Sequence, residues 1–123
     1  MTAPAVELLV VDDIPDAAHT LAELLRLDGY GVRVATCGEE ALRLIAEKRP
    51  LGVLLDVDMP GMTGRELAHR LRDEFAGSMV MVAVTGLGDD SAIVMDTIAL
   101  VDDFLRKPVD PRQLRKIFRR LAE

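Results

Sequence analysis

Aromatic residues are scarce: Phe, Trp and Tyr make up 3% of the chain, as three Phe, one Tyr and no Trp. A core for these 123 residues must therefore be built from Leu, Val, Ile, Ala and Met. Half of the residues are hydrophobic, which excludes a disordered polymer and is enough to bury a core without metal or disulfide staples. Cysteine is nearly absent. Cys37 alone excludes an internal disulfide framework, fits a reducing compartment and reads as a small filler residue after the second apolar run. No basic segment precedes an apolar run at the N-terminus, and no run approaches the roughly 20 apolar residues that cross a bilayer. A soluble, cytoplasmic protein without membrane contact is expected. Positive charge is also in deficit, with 15 Lys and Arg against 21 Asp and Glu, a net −6. Such a balance repels the phosphate backbone, so no direct nucleic-acid contact is expected. The basic residues near the end, Arg112, Arg115, Lys116, Arg119 and Arg120, read as a solvated helix face.

What is present is a fivefold alternation. Short apolar runs at Glu7–Val11, Gly31–Ala35, Leu51–Leu55, Met79–Val84 and Asp103–Arg106 are separated by segments of helical period. Three of the runs are continuously apolar, the pattern of strands covered on both faces in a parallel sheet. The helical stripes are Leu21-Leu24-Leu25-Asp28, Ala41-Leu44-Ile45-Lys48, Leu67-Leu71-Phe75 and Leu114-Ile117-Phe118-Leu121. Gly29 and Pro50 act as stop signals, and Pro111 as a start. Five strand–helix units with short connections predict a right-handed, doubly wound α/β sandwich, (βα)5, around a central five-stranded parallel sheet.

Ligands of such a sheet bind at the carboxyl ends of its strands. The residues there are Asp12 and Asp13 after the first run, Asp56 and Asp58 after the third, Thr85 and Gly86 after the fourth, and Lys107 and Pro108 after the fifth. Carboxylates gathered without arginine repel one another unless a hard cation joins them, and oxygen-only ligands suit Mg²⁺. Asp12 and Asp13 are assigned to the metal. Asp56 is assigned as a further ligand and as a carboxylate nucleophile toward phosphorus, giving an acyl phosphate. Lys107 clamps a phosphoryl oxygen, Thr85 donates its hydroxyl to the arriving group, and Gly86 leaves room for the donor.

Four segments carry a family resemblance: Val10-Val11-Asp12-Asp13, Leu54-Leu55-Asp56-Val57-Asp58-Met59-Pro60-Gly61-Met62-Thr63-Gly64, Val84-Thr85-Gly86 and Phe104-Leu105-Arg106-Lys107-Pro108. Taken in order, they resemble a bacterial response-regulator receiver domain over essentially the whole chain. The resemblance implies a flavodoxin-like fold and phosphorylation of Asp56 by a sensor histidine kinase or a histidine phosphotransferase. It implies a Mg²⁺ requirement, with the backbone carbonyl of Asp58 completing the shell, and a cis Lys107-Pro108 bond. Thr85 and Phe104 become the switch pair. The face made by the fourth helical segment, the fifth strand and the last helix becomes the surface that controls a downstream protein, an output domain or a second copy. Residues 1–123 are then one receiver domain, a phospho-acceptor switch rather than an enzyme, with no output domain after the final helix at Glu123.

The chain departs from the family pattern where Leu100-Val101 replace the usual Gly-Ala before the fifth strand. The preceding segment 92–101 is apolar nearly all round, which suits either a buried helix or an apolar partner surface. Asp58 and Leu87 occupy positions that tune phosphate lifetime in the family. Asp89, Asp90, Asp102 and Asp103 read as loop and helix-start residues. A rival resemblance is to haloacid-dehalogenase-type phosphatases, in which Asp56 would be the nucleophile, Asp58 the acid–base residue, and Thr85, Lys107 and Asp102-Asp103 the later motifs. Against it stand Pro60 in place of Thr or Val, a nucleophile on the third strand, an idle Asp12-Asp13 pair and no cap insertion.

Overall fold

Successive residues of each strand turn to opposite sides of one sheet, and both sides are covered. The computed structural model describes residues 7–57, 59, 64–75, 79–86, 95–97 and 99–122. Strands β1 (Glu7–Val11), β2 (Gly31–Ala35), β3 (Gly52–Asp56), β4 (Val80–Thr85) and β5 (Asp103–Arg106) are all parallel, in the order β2-β1-β3-β4-β5. Among the described residues the helices are α1 (Pro15–Leu27), α2 (Gly38–Glu47), α3 (Gly64–Phe75) and α4 (Pro111–Ala122), and residues 95–97 add a helical turn. This is the expected flavodoxin-like, doubly wound arrangement. The chain steps outward from β1 to β2, then crosses back to β3 on the other side, so the switch in winding direction lies between β1 and β3.

Two apolar layers result. Leu8, Val10, Leu54, Val82 and Val84 meet Ala18, Ala22 and Leu25 of α1 and Leu114, Ile117 and Phe118 of α4. Leu9, Val11, Val53, Leu55 and Met81 meet Ala41 and Ile45 of α2 and Leu67, Ala68 and Leu71 of α3. In α1 the stripe differs from the sequence expectation. Ala18, Ala22 and Leu25 are buried, whereas Leu21 and Leu24 lie half exposed at the edge. The small alanines let this helix lie close to the sheet, a contact that a search for large apolar residues overlooks. Two strands end later than the apolar runs do: Asp56 pairs with Val84 and Thr85 with Arg106, so both polar residues are the last rungs of their strands.

Local chemistry fixes the ends. Gly29 adopts φ +95° after α1, where its N–H bonds the Arg26 carbonyl and that of Tyr30 bonds Leu25, a glycine-terminated helix end. Cys37 is exposed rather than a filler: its sulfur accepts the Glu40 N–H at 3.4 Å as the cap of α2. Asp110 accepts the Arg112 N–H at 2.9 Å before α4, and the bonds from Arg112 hold this carboxyl below its usual range. The basic side chains of α4 are exposed, three of them paired with Asp110, Asp28 and Asp103. Met59, Met79 and Met81 fill the core as expected, but Met95 is 56% exposed. No described helix is long and apolar enough to cross a membrane.

Phe118 is fully buried and meets Tyr30 edge to face at 6.1 Å. Phe118→Ala is expected to lower the unfolding free energy by about 3–5 kcal/mol in denaturant titration, because it empties the seat of α4. Tyr30 is the only tyrosine. Burial, followed by the Asp28 carboxylate, raises its phenol above the ordinary 10.0. The folded state thus favours the neutral ring, a contribution present below pH 10.0 and lost as pH rises through the folded-state value. Tyrosinate absorbance is expected to titrate above 10.0 in the native protein and to return to that value in denaturant.

Candidate functional site

The loops that leave β1 and β3 flank the point where the winding direction reverses, and each strand delivers a carboxylate to that point. Asp12 follows β1 directly. Its N–H bonds the Ala35 carbonyl at 3.1 Å, and its Oδ1 accepts the Ile14 N–H at 3.0 Å, which sets the carboxylate's direction. Asp56 ends β3, the central strand, between β1 and β4. Both are 2% exposed, while Asp13 is half-buried. Oxygens of Asp12, Asp13 and Asp56 all lie within 4.8 Å of one another.

Lys107 reaches this group from the other side of the sheet. Its Nζ lies 3.3 Å from Asp56 Oδ2 and 4.0 Å from Asp12 Oδ2. Its backbone N–H bonds the Thr85 carbonyl at 2.9 Å, and the Lys107-Pro108 bond is cis. Thr85 is 1% exposed at the end of β4, one residue beyond the partner of Asp56. Gly86 is exposed, and among the described residues a Cβ there would meet only the Lys107 side chain, at 3.9 Å. Phe104 is half-buried on β5, beside Leu105 and level with Ala83 of β4. The Asp58 carbonyl expected as a ligand, Leu87, and Asp89 and Asp90 lie outside the described residues.

Among the described residues, three carboxylates gather around the Lys107 ammonium, and two like unit charges at this spacing repel by about 3 kcal/mol at an effective dielectric near 20. The donor set, all oxygen and partly open to solvent, fits a hard divalent cation. A nucleophilic oxygen, an adjacent cation site and an ammonium converge on one point, and that combination can receive and hold a phosphoryl group.

Two contributors were not recognisable from residue type alone. The Ile14 backbone aims Asp12, and Gly64 lets α3 begin against the acceptor strand. A Cβ on Gly64 would collide with the Asp56 carbonyl oxygen and come within 2.6 Å of Val57 Cα. Gly64 closes the second segment of the family resemblance, but its steric role at Asp56 shows only in the packing. By contrast, Asp102 and Asp103 lie at the amino end of β5, three and two rungs short of the level of Asp56. Asp103 pairs with Val82 and Asp56 with Val84, and Asp102 is bonded to Met81.

The geometry agrees with the comparisons. The model of the family described as response regulator receiver domain matches residues 8–119. The DNA-binding response regulator MtrA of Mycolicibacterium smegmatis is 36% identical over 107 residues, covering 87% of this chain and 46% of that protein. The transcriptional regulatory protein AfsQ1 of Streptomyces coelicolor is 36% identical over 118 residues, covering 92% of this chain and 51% of that one. The chain thus spans about half the length of the relatives it matches. A putative response regulator from Chloroflexus aurantiacus superposes with a TM-score of 0.85 at 35% identity, over 98% of this chain and all of that one. The response regulator TrrA from Thermotoga maritima, solved in complex with Mg²⁺-BeF, superposes with a TM-score of 0.82 at 28% identity, over 94% and 97% of the two chains. The chain belongs to the response regulator receiver domain family of two-component systems.

Proposed function

We propose that this domain is a phospho-acceptor switch in which Asp56 takes the phosphoryl group of a histidine kinase or histidine phosphotransferase. The observation that carries the reading is the Asp56 carboxylate. It is buried at the end of the central strand, grouped with two further carboxylates within 4.8 Å and faced by Lys107 at 3.3 Å.

An Asp56 oxygen attacks phosphorus, the bond from phosphorus to the donor breaks, and its electron pair leaves with the donor, giving an acyl phosphate on Asp56. Asp12, Asp13 and Asp56 would hold Mg²⁺, with the Asp58 carbonyl as a further ligand. When bound, the ion supplies charge neutralisation for the phosphoryl oxygens. Lys107, already poised between Asp56 and Asp12, contacts a phosphoryl oxygen and offsets the charge that arrives. The Thr85 hydroxyl donates to another oxygen. This movement vacates space beside β5, which Phe104 enters, shifting the population between two packings of the surface formed by the helical segment after β4, by β5 and by α4. That surface then controls a downstream protein, an attached output domain or a second copy. Residues 1–123 act as one receiver unit in the cytoplasm, with at most slow self-dephosphorylation, and direct nucleic-acid contact is not assigned to them.

The phosphatase reading is weakened by the place of Asp103 and Asp102, two and three rungs back along the ladder from Asp56, about 7 and 10 Å along the strands. It also gives Asp12 and Asp13 no role.

Acetyl phosphate with Mg²⁺ is expected to add one phosphoryl group, seen by intact mass, and the adduct should decay slowly. Chelation of Mg²⁺ and Asp56→Asn should each abolish it. Steady phosphate release from several phosphomonoesters without an adduct would contradict the switch reading.

A further inference from the structure

Strand β5 is the least secured of the five. It is four residues long and lies at the sheet edge, bonded only to β4. A short edge strand has few rungs to fix its register, and a one-residue slip turns every side chain to the opposite face. Lys107 follows directly, so the register of β5 decides whether the ammonium lies 3.3 Å from Asp56 or is carried away from it.

The anchor of that register lies at the far end of the strand. Asp102 makes a two-way connection to β4: its N–H bonds the Met81 carbonyl at 2.8 Å, and its Oδ2 accepts the Met81 N–H at 2.8 Å. Met81 immediately precedes Val82, the partner of Asp103, so this pair sets the first rung of the β4–β5 ladder. Arg72 of α3 holds Asp102 in that position. Its Nη2 lies 3.0 Å from the same Oδ2, and its Nε donates to the Leu100 carbonyl at 2.6 Å. One planar guanidinium thus spans the two points that bracket Val101, a geometry an ammonium cannot reproduce. The Arg72 side chain is only 25% exposed. The ion pair between Arg120 and Asp103 of this strand is 3.4 Å long with an arginine 71% exposed, where solvent screening leaves little. Leu100 and Val101, which replace the family's usual Gly-Ala, pack against the α3-side core and so turn the Leu100 carbonyl toward the arginine.

We infer that Arg72 is a positioning residue for phosphoryl transfer, acting through Asp102 and the register of β5 on Lys107, roughly 15 Å further along the chain. The inference rests on the proposed role of Lys107 at Asp56. It makes α3 serve the site twice, once at Gly64 against the acceptor and once at Arg72 against the strand that delivers the ammonium.

The test is a double-mutant cycle on the rate of Mg²⁺-dependent phosphorylation by acetyl phosphate, read by intact mass. Arg72→Met is expected to slow the wild type about tenfold, because small displacements of a charge-stabilising group are costly. In a Lys107→Ala background the same change should have no further effect, and Arg72→Lys should recover part of the rate. Exchange of the Lys107 amide, bonded to the Thr85 carbonyl, should be faster in folded Arg72→Met, a readout independent of phosphorylation. A wild-type rate in Arg72→Met, equal slowing in both Lys107 backgrounds, or unchanged exchange at Lys107 overturns the inference. Where Arg72→Met does not fold, Asp102→Asn takes its place in the cycle, with the same outcomes. Absence of an adduct in the wild type would instead overturn the assignment of Asp56 and leave the exchange measurement to decide the role of Arg72.

Discussion

The crowding of negative charge at the carboxyl edge of β1 and β3 is the constraint around which the rest of this domain is arranged. Asp12 and Asp56 are buried beside Asp13, and the ammonium of Lys107 offsets only part of their repulsion. Gathering carboxylates in this way costs stability, and their place at the switch point of the sheet marks a candidate site of use. Every nearby device serves the cluster. The Ile14 amide aims Asp12, Gly64 gives up its side chain so that α3 can start against Asp56, and the end of β5 brings Lys107 across. On the proposed reading, a cation joining the carboxylates and a phosphoryl group adding charge near Lys107 would be complementary parts of one balance.

The sheet is rigid enough to hold this arrangement because it is covered on both sides. The α1–α4 layer is seated on small alanines and on Phe118, and the α2–α3 layer on larger aliphatic side chains. The three inner strands have long, buried ladders, and they carry Asp56, the residue preceding Asp12, and Thr85. The remaining cation comes from the short edge strand, whose place depends on contacts from α3. A switch is well served by this division. On the proposed reading, the acceptor is held by an inner strand, and the element that would respond to its charge is the one with the fewest rungs and the half-buried Phe104.

Much of this was legible in the sequence for physical reasons. Continuous apolar runs announce buried parallel strands, and polar residues that close such runs announce the ligand edge, so the grouping of Asp12, Asp13, Asp56, Thr85 and Lys107 at one edge is readable without coordinates. Strand ends were displaced by one residue at Asp56 and Thr85, because hydropathy stops where the ladder does not. The buried stripe of α1 was misjudged because Ala18 and Ala22 contribute by being small. Cys37 was taken for filler, although its sulfur caps α2 at the surface. Asp102 lies in the loop before β5, as read, but its bonds to Arg72 and Met81, 30 and 21 residues away in the chain, are not legible there. Contacts of that kind leave no local periodicity to read.

The most direct test of the central claim is the location of the phosphoryl group. Protein treated with acetyl phosphate and Mg²⁺ would be reduced with borohydride, which converts an acyl phosphate of aspartate to homoserine, and the peptides mapped by mass. The account predicts homoserine at position 56 alone, with Asp12 and Asp13 unchanged. Homoserine at either of those residues, or a phosphoryl group on a hydroxyl or imidazole, would contradict it.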